Sequence, residues 1–289
     1  MELRYSSSPK DAKAYTTERL REEFLIDDLF KEDDIKLVYS HIDRIITGSA
    51  VPKSKKLLLT AADRLRAKYF LERREMGVIN LGGKGKITID SKTYEMDYKD
   101  GLYVGMGQGQ ESISFESCDA SNPAKFYINS APAHKTYKTV LIKPEGNPSD
   151  DVIIVKDENK VELGSLEESN HRVICKYILP GQVESCQLVM GMTTLKPGSV
   201  WNTMPSHTHD RRMEVYLYFD LDESSFVMHF MGEPTETRHI VMRNMQAVIS
   251  PSWSIHSGAG SKAYSFIWGM VGENQEFTDM DNIENKNLM

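Results

Sequence analysis

Between Lys36 and Asn129 the chain carries short apolar runs, KLVYSHIDRIITG, GVINLGG, KITID, GLYVGMG and KFYIN, each bounded by Gly, Asp, Asn or Pro. Runs of this length, rich in Val, Ile, Tyr and Phe and closed by turn formers, read as β-strands. A second set begins near Val173: VICKYIL, SCQLVMGMTTL, EVYLYFDL, SFVMHFMG, HIVM, QAVIS and YSFIWGMV. One helical pattern stands out, from Thr16 to Leu25, where a threonine is placed to cap a stretch of Glu, Arg and Leu. The predicted fold class is all-β, with two β domains and a short N-terminal helix. Residues 135–172 include EGNPSDD and DENKVELGSLEESN, polar and turn-rich, and read as a linker or surface excursion. The expected domains are 1–134 and 173–289.

The halves echo each other. RREMGVINLGG followed by DGLYVGMGQGQ mirrors RRMEVYLYFDL followed by QAVISPSWSIHSG. Laying Arg73-Arg74 on Arg211-Arg212 places Tyr69 and Leu71 at the positions of His207 and His209, and Gln110 near that of His256. A duplication in which the first copy is architectural fits this pattern; a chance echo between two antiparallel β domains is the alternative.

Composition narrows the setting. With 289 residues, 40% hydrophobic and 27% charged, the chain can bury a sizeable core. A formal charge of −7 offers no general basic field for nucleic acid or anionic lipid, so an anionic substrate needs local Arg or Lys. Three cysteines, Cys118, Cys175 and Cys186, are an odd, scattered set unlike a secreted disulfide framework. No apolar run reaches the roughly 18 residues of a membrane span, and MELRYSSSPKDAKAY lacks an export-type apolar core. The expected location is cytoplasmic.

The candidate chemistry lies in Ser206-His207-Thr208-His209-Asp210-Arg211-Arg212-Met213-Glu214, with His256 following in SPSWSIH. On a strand, His207 and His209 at i and i+2 project from one face, their Cα atoms roughly 6.5 to 7 Å apart. That suits two ligands of one ion. Three imidazoles and a carboxylate form a borderline-hard set for one divalent metal, suiting Zn, Mn, Fe or Ni without choosing among them. The bland alternative is a chance pair that serves surface hydrogen bonding.

Other motifs read structurally. Gly82-Gly83-Lys84-Gly85 is expected to be a hairpin turn, since no helix follows it to aim N–H groups at a phosphate. Arg211 and Arg212 occupy successive strand positions, so one faces inward and is placed to bind a substrate carboxylate; a rim salt bridge is the other reading. Trp201, Trp253 and Trp268 flank the metal motifs and are read mainly as core packing, and His41, His134, His171 and His229 as satisfied or solvent-facing.

HxHxxxxE followed by PxxxxH resembles the metal-binding motifs of the cupin superfamily, with Trp253 where a cupin commonly has glycine. More specifically, YSHIDRIITG, YFLERREMGVINLGG, PAKFYIN, WNTMPSHTHDRRMEVY and ISPSWSIHSGAG are similar to the 5-keto-4-deoxyuronate isomerase family, from about Phe24 to Asp281. The resemblance implies a bicupin of two jelly-roll barrels and zinc held by His207, His209, Glu214 and His256. It also implies a homohexamer acting on a pectin-derived uronate with a C1 aldehyde, C2 hydroxyl, C5 ketone and C6 carboxylate. A metal across the C1 and C2 oxygens would acidify the C2 proton and stabilise an enediolate. Glu214 as a ligand cannot also be the base, so Glu236, His239 and Tyr264 are the candidate proton carriers. An iron-dependent dioxygenase and a non-catalytic sugar-binding cupin use the same ligand set and are the rival readings.

Overall fold

The computed structural model describes residues 1–61 and 63–289. The anticipated helix spans Thr17–Phe24, with the Thr16 hydroxyl accepting from the Arg19 amide and Leu20 and Phe24 buried. The rest is strands, turns and short helical turns, apart from a four-residue helix at Pro9–Ala12. The chain divides into two compact units, 1–3 with 28–156 and 177–188, and 4–27 with 157–176 and 189–289.

In the first unit, Ile35–Ser40, Ile46–Ala50, Phe126–Pro132, Arg74–Asn80 and Gly101–Val104 lie side by side in that order within one sheet. A smaller sheet runs Leu57–Leu58, Ile113–Ser117, Gly85–Ile89, Lys92–Met96. Alternate residues such as Ile46, Met76, Val78, Phe126 and Ile128 share one apolar core with Ile87, Tyr94, Met96 and Phe115 of the smaller sheet. The period-2 alternation of strands produces this packing.

The second unit repeats the order strand for strand. Its large sheet runs Arg172–Ile178, Val189–Leu195, Ser265–Gly272, Arg212–Phe219, Gln246–Ser250, and its small sheet Trp201–Asn202, Ser257–Gly260, Val227–Glu233, Glu236–Met242. Two sheets wound this way in each unit form the double jelly roll expected of a bicupin. The two units therefore share one strand order. Met76 pairs with Ser130 and Val104, as Glu214 pairs with Met270 and Ser250, so a thioether stands at the carboxylate's place in the first copy.

The boundaries differ from those expected. Val140–Lys143 and Val152–Ile154, placed by sequence in a linker, extend the first unit's sheet, and Lys160–Leu163 joins the second unit's sheet. Residues 177–188 return to the first unit, where the buried Glu75 carboxylate accepts from the amides of Cys186, Gln187 and Leu188 at 2.7, 2.8 and 2.8 Å and from the Tyr103 hydroxyl at 2.7 Å. A buried charge needs such partners, and a polar, turn-rich composition does not announce them. Gly82 and Gly83 also depart from expectation. They connect strands of different sheets, a crossover rather than a hairpin, and a Cβ at Gly82 would sit 2.4 Å from the Pro123 carbonyl oxygen.

Candidate metal centre

The four proposed ligands come from three separate stretches that the second unit's sheets bring together. His207 lies in a two-residue strand paired with Asp281–Asn282, opposite Asn282. The His209 amide donates to the Ser252 carbonyl, and Glu214 stands on Arg212–Phe219 between Ser250 and Met270. His256 follows a turn in which the Ser254 amide bonds to the Pro251 carbonyl and the Ile255 amide to that of Gly232. Trp253 fits this turn by packing edge-on against Phe24, with ring centroids 6.2 Å apart.

Their ligand atoms converge. His256 Nε2 lies 2.9 Å from His207 Nε2 and 3.1 Å from His209 Nε2, while Glu214 Oε2 is 2.8 Å from His256 Nε2 and 3.4 Å from His209 Nε2. All four side chains are buried, with their ligand atoms within 4.8 Å of one another. Ligands about 2.0 to 2.2 Å from a tetrahedral ion lie roughly 3.4 Å apart, so this set fits one divalent cation after a small expansion. Facing lone pairs on three neutral imidazoles repel unless a cation or protons sit among them.

Protonation favours the cation. Burial, together with His256 and His209, pushes His207 down to about 2, leaving a neutral donor at physiological pH. Burial alone would raise the Glu214 carboxyl, but the neighbouring His256 and His209 outweigh it and hold the group well below the usual carboxylate range. His209 Nδ1 lies 2.8 Å from the Asp279 carbonyl and 3.3 Å from Arg212 Nε. Coordination through Nε2 requires the proton on Nδ1, so the carbonyl is its partner and the longer arginine contact is not a hydrogen bond to a lone pair.

The site opens on a cavity of about 260 Å³ whose wall includes Phe266, Trp268, Met270 and Phe277. Of the three tryptophans, Trp268 lines it and donates to Thr193, whereas Trp201 stacks on Phe230. Tyr216 reaches in with its hydroxyl 2.9 Å from that of Thr203 and its ring 5.6 Å from the His256 ring. Burial pushes this phenol well above its ordinary value, so it keeps its proton.

The other sequence candidates lie elsewhere. Glu236 pairs with Arg238 at 2.9 Å and His239 is exposed, both on the last strand of the small sheet, so neither lines the cavity. Tyr264 is buried but donates to Asn202 and is likewise absent from the cavity wall. Arg211 is held by Asp279 at 2.7 Å and Asp281 at 2.9 Å. Buried Arg212 donates to the carbonyls of Glu276, Phe277 and Asp279. The two arginines clasp the C-terminal segment and do not face the cavity; carbonyls of an irregular strap satisfy the inward guanidinium that sequence reasoning gave to substrate. The residues missed by sequence are Arg172, Thr203, Tyr216 and Asn282, all on the cavity wall. Only the EVYLY alternation could have flagged one of them, since Tyr216 follows Glu214 by two on the same face.

A double jelly roll whose second unit buries a His/His/Glu/His set able to hold one metal ion defines a bicupin. The chain matches the model of the KduI/IolB family over residues 25–286, and it belongs to that family. It is 74% identical over 288 residues, the whole of both chains, to the 4-deoxy-L-threo-5-hexosulose-uronate ketol-isomerase of Lachnoclostridium phytofermentans. It is 60% identical, again over the whole of both chains, to the protein of the same name from Lachnospira eligens. Among solved structures, an IolB-like protein from Salmonella typhimurium LT2 superposes with a TM-score of 0.66 at 13% identity, covering 91% of this chain and 97% of its own, which speaks to the fold alone.

Proposed function

We propose that this chain is an aldose–ketose isomerase that converts 4-deoxy-L-threo-5-hexosulose uronate to 3-deoxy-D-glycero-2,5-hexodiulosonate in the breakdown of unsaturated uronates. The observation that carries the reading is 74% identity across the full chain to a relative bearing that activity in its name. Identity at this level also disfavours the dioxygenase and non-catalytic readings.

His207, His209, Glu214 and His256 would hold one divalent ion, zinc by resemblance to the isomerase family. An ion held there would supply Lewis acidity to the substrate's reacting carbonyl end. The protein's part is to fix its own groups. Glu214 is committed to the imidazoles and ion and serves as a charge partner. Tyr216, protonated and anchored by Thr203, is placed to donate toward an oxygen that gains negative charge. Trp268, Phe266, Met270 and Phe277 keep much of the cavity wall apolar and limit water around the reacting carbons. A homohexamer and a cytoplasmic location complete the proposal, on the same resemblance; no helix among the described residues is long and apolar enough to cross a membrane.

The test is incubation of the purified, metal-loaded protein with the unsaturated-uronate product of a pectin or alginate lyase. Loss of the C1 aldehyde with no oxygen uptake supports the isomerase. Oxygen consumption coupled to substrate loss would make it a dioxygenase, and binding without conversion would make it a binding module.

A further inference from the structure

Arg172 supplies the one Lys or Arg side chain among the described residues lining the cavity that holds the metal-ligand set. It begins the strand Arg172–Ile178 and pairs with Leu163, which also lines the cavity and is 43% exposed. Its Nη1 donates to the Asn170 carbonyl at 2.8 Å, which fixes one side of the guanidinium and leaves further N–H groups to serve a ligand. Apolar side chains, Trp268, Phe266 and Phe277 among them, dominate the remaining wall. No carboxylate among the described residues pairs with it, and half-burial, by stripping water from the guanidinium, lowers its pKa from the ordinary value. An unneutralised cation in a largely apolar cavity is stabilised by an anion that enters with the ligand.

From this placement we infer that Arg172 binds the C6 carboxylate of the substrate and fixes its direction in the cavity. The inference rests on the isomerase reading, in which C1 and C2 lie at the four ligands. The carboxylate end of a six-carbon uronate then needs a cation elsewhere on the wall of the same cavity, and Arg172 is on that wall. Arg211 and Arg212 are spent on Asp279, Asp281 and backbone carbonyls, so neither competes for this role. The guanidinium fork matches a carboxylate in two parallel hydrogen bonds, which gives orientation as well as affinity.

The experiment compares metal-loaded wild type, R172Q and R172K on the uronate and on its C6 methyl ester. For R172Q, KM for the uronate rises about 100-fold, while KM for the ester stays within about threefold of wild type. Bound metal, measured by elemental analysis, is unchanged, which separates a lost anchor from a damaged site. R172K keeps the charge without the fork and recovers part of the loss; should R172Q fail to fold, R172K alone still shows a KM rise of about tenfold for the uronate. An unchanged uronate KM in the folded variants, or equal losses on uronate and ester, overturns the anchor and leaves the isomerase reading intact. Wild type inactive on both compounds overturns the isomerase reading and the anchor with it.

Discussion

Replacing Arg212 by methionine tests how far the C-terminal segment supports the metal site. Arg212 is 1% exposed and its guanidinium bonds the carbonyls of Glu276, Phe277 and Asp279, the last two at 3.4 and 3.2 Å. Charge-assisted hydrogen bonds contribute about 1.5 to 3 kcal/mol each at good geometry, and two of these are long, so their sum is about 3 to 5 kcal/mol rather than three full bonds. Methionine keeps much of the stem's volume but leaves these carbonyls without their donor. At roughly 2 to 4 °C per kcal/mol for a chain of this size, Tm falls by about 6 to 20 °C. The carbonyl of Asp279 is also the partner of His209 Nδ1, so loosening the strap frees that ring, and loss of such a partner weakens metal affinity about 10- to 100-fold. Calorimetry on the loaded protein, chelator competition and hydrogen exchange at residues 276–283 read the three consequences. A Tm within about 1 °C of wild type and unaltered exchange in that segment would refute the reasoning. Arg211→Ala is the control: its ion pairs with Asp279 and Asp281 are solvent-accessible, and Tm and metal retention stay close to wild type.

Three further outcomes are expected. His207→Ala removes one ligand of the cluster, so elemental analysis should find the wild type with about one divalent ion per chain and the variant with little; equal stoichiometry would contradict the ligand set. His229 is buried between Tyr218 at 2.9 Å and Ser250 at 3.3 Å, and burial pushes it down to about 3. The unfolded chain then binds more protons below pH 6.5, so stability declines as pH falls from about 6.5 toward 3, by about 2 kcal/mol at pH 5 from this group. His229→Gln should flatten the Tm profile between pH 7 and 5 relative to wild type; parallel profiles would remove His229 from the account. Finally, turnover in D2O should place deuterium at C1 of the product, read by NMR, because a proton moving from C2 to C1 through the protein's groups exchanges with solvent. Product free of deuterium over many turnovers would point to hydride transfer instead.

The His/Glu cluster that could hold an ion was legible because its spacing is local. His207, His209 and Glu214 fall within eight residues, and strand geometry alone turns the two histidines to one side. The β-strand texture and the capped helix at Thr16 were legible for the same reason. Arg172 was not, since it lies at the end of a polar stretch that composition assigns to a linker, and its place in the sheet, where it pairs with Leu163, brings it to the cavity. Asp279 and Asn282 sit in an irregular strap whose course depends on Arg212 and His209, long-range partners that no periodicity reveals. Glu236 and His239 misled because any titratable residue near the motifs looked available. Their strand is the last of its sheet, and alternation there turns Ile240 and Met242 inward and His239 to solvent.

The central claim, that the buried His207, His209, Glu214 and His256 cluster serves an aldose–ketose isomerisation, is tested most directly by proton NMR of the C1 aldehyde of 4-deoxy-L-threo-5-hexosulose uronate. The same spectrum is followed with the purified protein as loaded, after chelation, and after return of one divalent ion per chain. The account predicts loss of the aldehyde signal with appearance of the 2,5-diketo product, arrest on chelation and recovery on reloading. Conversion that continues at full rate in protein shown to be metal-free would contradict it.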